Sequence, residues 1–172
     1  MENLKQIKRK TTSVLQTYAT RLRAFRWNAR MYLVFTIIFG AAMGVRRLIF
    51  NFFVLSLGYD EALLGTMITV HNLTALLAAL PMGYLADRLG RKFSLVSSTI
   101  LVAFSVIVMV SYPKAWILVA LNIVFGLGMS ISSVTMGPFL MENSSETERT
   151  YLFSFGSGLQ MAAGFVGNWI GG

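Results

Sequence analysis

Apolar residues run in long, nearly unbroken stretches along this chain, and the polar ones gather at a few narrow breaks. Stretches of about 20 mostly apolar residues, enough to cross a hydrocarbon core, fall at residues 31–57, 62–86, 93–112, 115–140 and 150–172. The breaks between them carry helix-end signals rather than strand turns. Asp60 stands where it can accept the free amides that open the second span, and with Glu61 it favours that helix's positive end. Pro113 suits the first turn of the fourth span, where its missing N–H costs nothing. Ser145 followed by Glu148 has capping-box spacing ahead of the fifth, in the longest polar break, Met141 to Arg149. The expected fold class is all-α, a polytopic transmembrane bundle of five spans over residues 31–172, preceded by a tail at 1–30.

Composition sharpens this picture. Apolar residues make up 55% of the chain and charged ones 13%, about half the roughly 25% of ordinary soluble domains. With no cysteine, one histidine and seven carboxylates, neither a disulfide framework nor a thiol or metal centre has its raw materials. Paired carboxylates and a nucleophile with its base are also lacking, so the chain reads as a carrier rather than an enzyme, and no cofactor is expected.

Charge sets the orientation. Eight of the fifteen Lys and Arg lie in the first thirty residues, and twelve fall on one side of the predicted topology, against Lys114 alone on the other. The positive-inside bias therefore places the amino terminus in the cytoplasm, with the plasma (inner) membrane as the expected location. Aromatic residues agree: Trp27, Tyr32, Tyr84 and Tyr151 fall at inner ends, and Tyr59, Tyr112, Trp116 and Trp169 at outer ones. This bias accounts for most of the net charge of +8, so a nucleic-acid partner is not expected. Val14, Tyr18, Leu22 and Phe25 recur at helical spacing among arginines, which predicts an amphipathic helix over 12–28 lying on the anionic inner leaflet.

Between the second and third spans stands Gly83-Tyr84-Leu85-Ala86-Asp87-Arg88-Leu89-Gly90-Arg91-Lys92. A glycine, then Asp-Arg, one residue, a glycine and two basic residues in a short inner connection resembles the signature of the major facilitator superfamily. Physically, Gly83 permits close approach of another helix, Gly90 suits a tight turn, and Asp87 at the end of an apolar helix needs a partner. The resemblance implies an inner gate in which this segment, with Arg88 and Lys92, contacts the carboxy-terminal half while Arg91 pairs with an acid ending the fourth span. Here that acid is Glu142, and Arg149 lies on the same side. Family members usually have twelve spans, so the resemblance implies the amino-terminal part of a transporter, an incomplete six-helix half whose remaining helices are its partners.

Polar groups within lipid are costly and so mark candidate sites. In the first span Gly40, Gly44, Arg47 and Asn51 recur at intervals of four, three and four, forming one face. Arg47 on that face is a pathway candidate suited to anionic solutes; the alternative for both arginines, favoured for Arg46, is a head extended toward water near the outer third of the membrane. His71 and Asn72 in the second span, Asn122 and Ser130 in the fourth and Gln160 in the fifth complete the candidates. His71 has two readings, a relay for a coupling proton and an interhelical hydrogen-bonding group. The fourth span lacks the arginine that many proton-coupled members carry. The expected function is movement of a small solute across the bilayer by alternating access; the competing reading is a membrane scaffold that transports nothing.

Overall fold

In lipid a backbone amide finds no water, so an apolar stretch must satisfy its hydrogen bonds internally, and the helix does so within one segment. The computed structural model, which describes residues 27–171, is built accordingly. Its helices are α1 (Trp27–Ser56), α2 (Glu61–Leu89), α3 (Arg91–Ser111), α4 (Ala115–Asn143) and α5 (Glu146–Gly171). The first four are long and apolar enough to cross a membrane. The fifth, expected as a span, is long enough at 26 residues but richer in glycine, serine and other polar groups. The interfacial helix expected at 12–28 lies outside the described residues, apart from Trp27 and Asn28, which open α1.

Helices run further than hydropathy alone indicates. α2 extends to Leu89 and α4 to Asn143, so the expected connection after residue 86 shrinks to Gly90, and the break before the fifth helix to Ser144 and Ser145. A hydrophobic window ends where lipid ends, but intrahelical hydrogen bonds continue into the polar layer. Asp60 caps α2 as expected, its Oδ1 accepting the Leu63 amide at 3.0 Å. Pro113 instead precedes the cap residue Lys114, which makes no side-chain cap. Tyr59 takes that role: its hydroxyl accepts the Ala115 amide at 3.1 Å and donates to the Pro113 carbonyl at 2.9 Å, pinning the α1–α2 turn to the α3–α4 turn. The Glu148 side chain, the far half of the expected capping box, lies outside the described residues.

Three pairings hold the bundle: α1 with α5, α2 with α4, and α3 with α4. Small residues make each one close, because between lipid-solvated helices contact comes from backbone proximity. A Cβ on Gly40 would stand 2.6 Å from the Gln160 carbonyl oxygen, and one on Gly44 would collide with the Gly164 carbonyl. On α4, Gly126 faces the His71 carbonyl of α2 and Gly128 faces Ser98 and Val102 of α3. The buried α3 serines Ser94, Ser98 and Ser105 return their hydroxyls to carbonyls of Gly90, Leu95 and Leu101, which removes their cost in an apolar interface. One apolar cluster, around Phe50, Val54, Met109, Leu118 and Phe125, lies toward the α1–α2 turn. A smaller one, Leu33, Leu140 and Leu152, lies at the opposite end, where Gly90 stands.

Candidate functional site

At the Gly90 end the chain must leave α2 and start α3 within one residue. Gly90 does this at φ +91°, a backbone region that side chains rarely adopt. Its amide donates to the Ala86 carbonyl at 3.1 Å and its own carbonyl accepts the Ser94 amide at 3.0 Å. This corner sets Asp87, in the last turn of α2, beside Arg91, which opens α3. Arg91 reaches both ways: its Nη2 lies 3.7 Å from Asp87 Oδ1 and its Nε 3.3 Å from Glu142 Oε1 in the last turn of α4. The expected Arg91–Glu142 pair is therefore formed, and it clasps the α2–α3 corner to α4.

The other motif residues divide. Arg88 turns back over the Tyr84 ring, 4.6 Å from its centroid, and Lys92 is exposed. Arg149 does not join the ionic cluster; its Nη2 donates to the Met141 carbonyl at 2.8 Å, filling one of the acceptors that a helix end leaves open. Nothing described lies within 4 Å of a Cβ placed on Gly83, so the helix it was expected to admit is not among α1–α5.

Toward the opposite end, α1, α2 and α4 enclose a cavity of about 310 Å³. Its polar lining is Arg46, Arg47, Asn51, His71, Asn72 and Asn122, so five pathway candidates from three helices meet there. Arg46, read from sequence as reaching for water, instead points into the bundle. Its guanidinium carbon sits 4.3 Å above the Phe125 ring and 5.9 Å from that of Phe50, and its Nε is buried without a hydrogen bond. Two consecutive arginines stand about 100° apart on a helix, so nothing in the local sequence says which of them faces the bundle. His71 tilts against Phe125 with ring centroids 5.1 Å apart, and its buried Nδ1 has no hydrogen-bond partner. Asn122, also buried, donates its amide to Leu118 within its own helix at 2.8 Å.

Two further cavities continue along α1. One of about 490 Å³ between α1 and α5 shares Arg47 with the first and is also lined by Gly40, Gly44, Gln160 and Asn168. The next, about 260 Å³, shares Gln160 and is lined by Tyr32, Thr36, Ser132 and Ser133. Asn51, Arg47, Gly44, Gly40, Thr36 and Tyr32 thus form one stripe of α1, at intervals of three or four, along a row of cavities between the two ends of the bundle. Ser130 lies off this row. Its hydroxyl is buried and donates to the Ala75 carbonyl of α2 at 3.0 Å, a packing bond between helices.

The sequence profile of the Major Facilitator Superfamily matches residues 31–172. The chain belongs to that superfamily and is an integral membrane protein. It is 32% identical over 122 residues to the arabinose-proton symporter of Escherichia coli strain K12, and equally to that of strain O157:H7. The match takes in 71% of this chain but spans about a quarter (25%) of the length of these curated relatives. No solved structure matches the chain.

Proposed function

We propose that this chain forms the amino-terminal part of a secondary transporter that moves a small polar solute by alternating access. The observation that carries the reading is the row of cavities along α1 with polar side chains in their walls, joined through Arg47 and Gln160. A scaffold has no use for uncompensated polar groups inside the bilayer, where each raises the cost of insertion; a solute path does. The Arg91–Glu142 and Arg91–Asp87 contacts at one end are of the half-exposed kind that break and re-form at low cost, as a gate requires. Alternating access is rocking of one helical repeat against another around a midplane site, so the remaining helices of the transporter complete the path. The relatives' name supports proton coupling and makes a sugar the first solute to try, and in this reading His71 is the group that would exchange a proton beside it. The basic tail and the Gly83–Lys92 segment face the cytoplasm in this reading.

The test is uptake by the full-length protein in proteoliposomes, with labelled arabinose and a panel of small polar solutes, under an imposed pH gradient. Gradient-driven uptake that falls in the Asn51→Ala and Gln160→Ala variants is the expected result. Asp87→Asn should slow flux while leaving the amount of assembled protein unchanged. If Asp87→Asn depletes assembled protein and the wild type moves none of the panel, the scaffold reading replaces this one.

A further inference from the structure

The cavity between α1, α2 and α4 carries two arginines and no acid. Asp60, Glu61, Asp87, Glu142 and Glu146 are the carboxylates with described side chains, and none of them lines it. Among the described residues Arg91, at the other end of the molecule, pairs with Asp87 and Glu142. Arg46 is held by the faces of Phe125 and Phe50. A ring face attracts a cation but brings no negative charge, so the cavity keeps the field of two adjacent guanidinium groups. Inside a bilayer such groups are tolerated when they meet a counter-charge or a water-filled space.

From this we infer that the cavity selects a small anionic solute, a hydroxylated organic acid of the sugar-acid kind. Arg47, exposed and lining the cavity, receives the carboxylate in a two-pronged contact that a lysine reproduces only in charge. Arg46 adds to the field from its aromatic seat and fixes the position of that charge. The hydroxyl groups of the solute meet Asn51 and Asn72, side chains that donate and accept, together with the free Nδ1 of His71. Leu64, Met67 and Ile68 supply the apolar wall against which a carbon chain lies. A volume of about 310 Å³ is at the small end of ligand sites, matched to a metabolite of six carbons or fewer. A polyhydroxylated acid also keeps the hydroxyl pattern of the relatives' sugar while answering the two arginines. The inference rests on the transporter reading, and it differs from that reading in what the site prefers.

The experiment compares gluconate with glucose, and arabinonate with arabinose, on the purified full-length protein in nanodiscs and in proteoliposomes. Binding is followed by calorimetry at two salt concentrations. The acid of each pair is expected to bind at least about tenfold more tightly than the neutral sugar, the scale of one charge-assisted hydrogen bond. Arg47→Gln should lower affinity for the acid roughly ten- to a hundredfold, at least about tenfold more than it lowers affinity for the neutral sugar, with Arg47→Lys between the two. Because Arg46 is packed against two rings, the Arg47 series is the reliable one if Arg46→Gln fails to fold. Equal or tighter binding of the neutral sugars, binding of neither class, or acid affinity indifferent to Arg47→Gln each overturns the inference. Uptake of neutral sugar with no uptake of acid does so too while leaving the carrier reading intact. Binding of acid without flux of any compound removes the carrier reading and leaves the anion site standing.

Discussion

At the scale of single residues, the ionic clasp makes the sharpest prediction. Arg91 touches Asp87 on its own corner and Glu142 across the helix interface, so it connects two charges that otherwise have no bond between them. Glu142 is more than half exposed, and solvent screening limits such a pair to about 0.2–1 kcal/mol. A double-mutant cycle with Arg91→Gln and Glu142→Gln, read by thermal unfolding of the full-length protein, should give a coupling in that range. The charge swap of the two residues should recover part of the transport lost by either single change; no recovery removes the pairing from the gate. Ser130 makes the opposite case. Its hydroxyl bridges to α2, so Ser130→Ala should lower stability by about 1 kcal/mol and leave solute affinity as it was. Sequence spacing identified Arg47 and Asn51 as one face and found the acid for Arg91 through the family resemblance. It placed neither Arg46 nor Ser130, because a guanidinium resting on Phe125 and a hydroxyl bonded to Ala75 both depend on which helix lies opposite. That choice belongs to tertiary packing and leaves no mark in the local pattern.

Among the helices, α1 and α5 approach each other closely through glycine, with the Leu33, Leu140 and Leu152 cluster at one end. Tyr32 meets Gly156 near one end, Gly40 and Gly44 meet Gln160 and Gly164 midway, and Val45 meets Gly171 near the other. Residue numbers rise together along both helices, so the two run parallel. This explains how α5 can be less apolar than its neighbours and still belong to the bundle: its small face is given to α1 and to the cavities. Gly44→Ala would set a methyl group against the Gly164 carbonyl and within 3.0 Å of the Asn168 amide nitrogen. Backbone cannot yield as a side chain can, and overpacking of this kind costs about 1–3 kcal/mol. Gly65→Ala, with open space beside it, should instead be neutral or slightly stabilising, since alanine is the better helix former. Comparing the melting temperatures of the two variants checks the zipper directly. If Gly44→Ala melts with the wild type, the close approach of α1 and α5 is wrong. Hydropathy located all five helices to within about four residues. It misjudged their ends, since hydrogen bonding carries α2 and α4 past the edge of the apolar window.

For the molecule as a whole, the informative surface is the face of α2 that carries Leu76, Leu80, Gly83 and Asp87. These residues recur at four, three and four and are partly or fully exposed. Lipid would accept Leu76 and Leu80, but it gives no reason for a glycine at 83, where a leucine would both favour the helix and dissolve better. Nor does it account for a carboxylate one turn further on, whose side chain is 72% exposed and lies 3.7 Å from Arg91. Glycine and acid on one face are what a closely approaching helix needs, the first to bring backbones together and the second to receive its free amides. Under the proposed alternating-access reading, a second half of the transporter would close on this face. Gly83→Leu in the full-length protein should disfavour the closed gate by about 1–3 kcal/mol, a shift of roughly five- to a hundred-and-fifty-fold in its population. In proteoliposomes that appears as slower net uptake with solute affinity nearly unchanged, because Gly83 lies far along α2 from the cavity at His71. Gly65→Ala, on the same helix but near its other end, serves as the control for general loss of stability. Wild-type flux in Gly83→Leu would mean that nothing docks there, and the face would then be lipid-covered throughout the cycle.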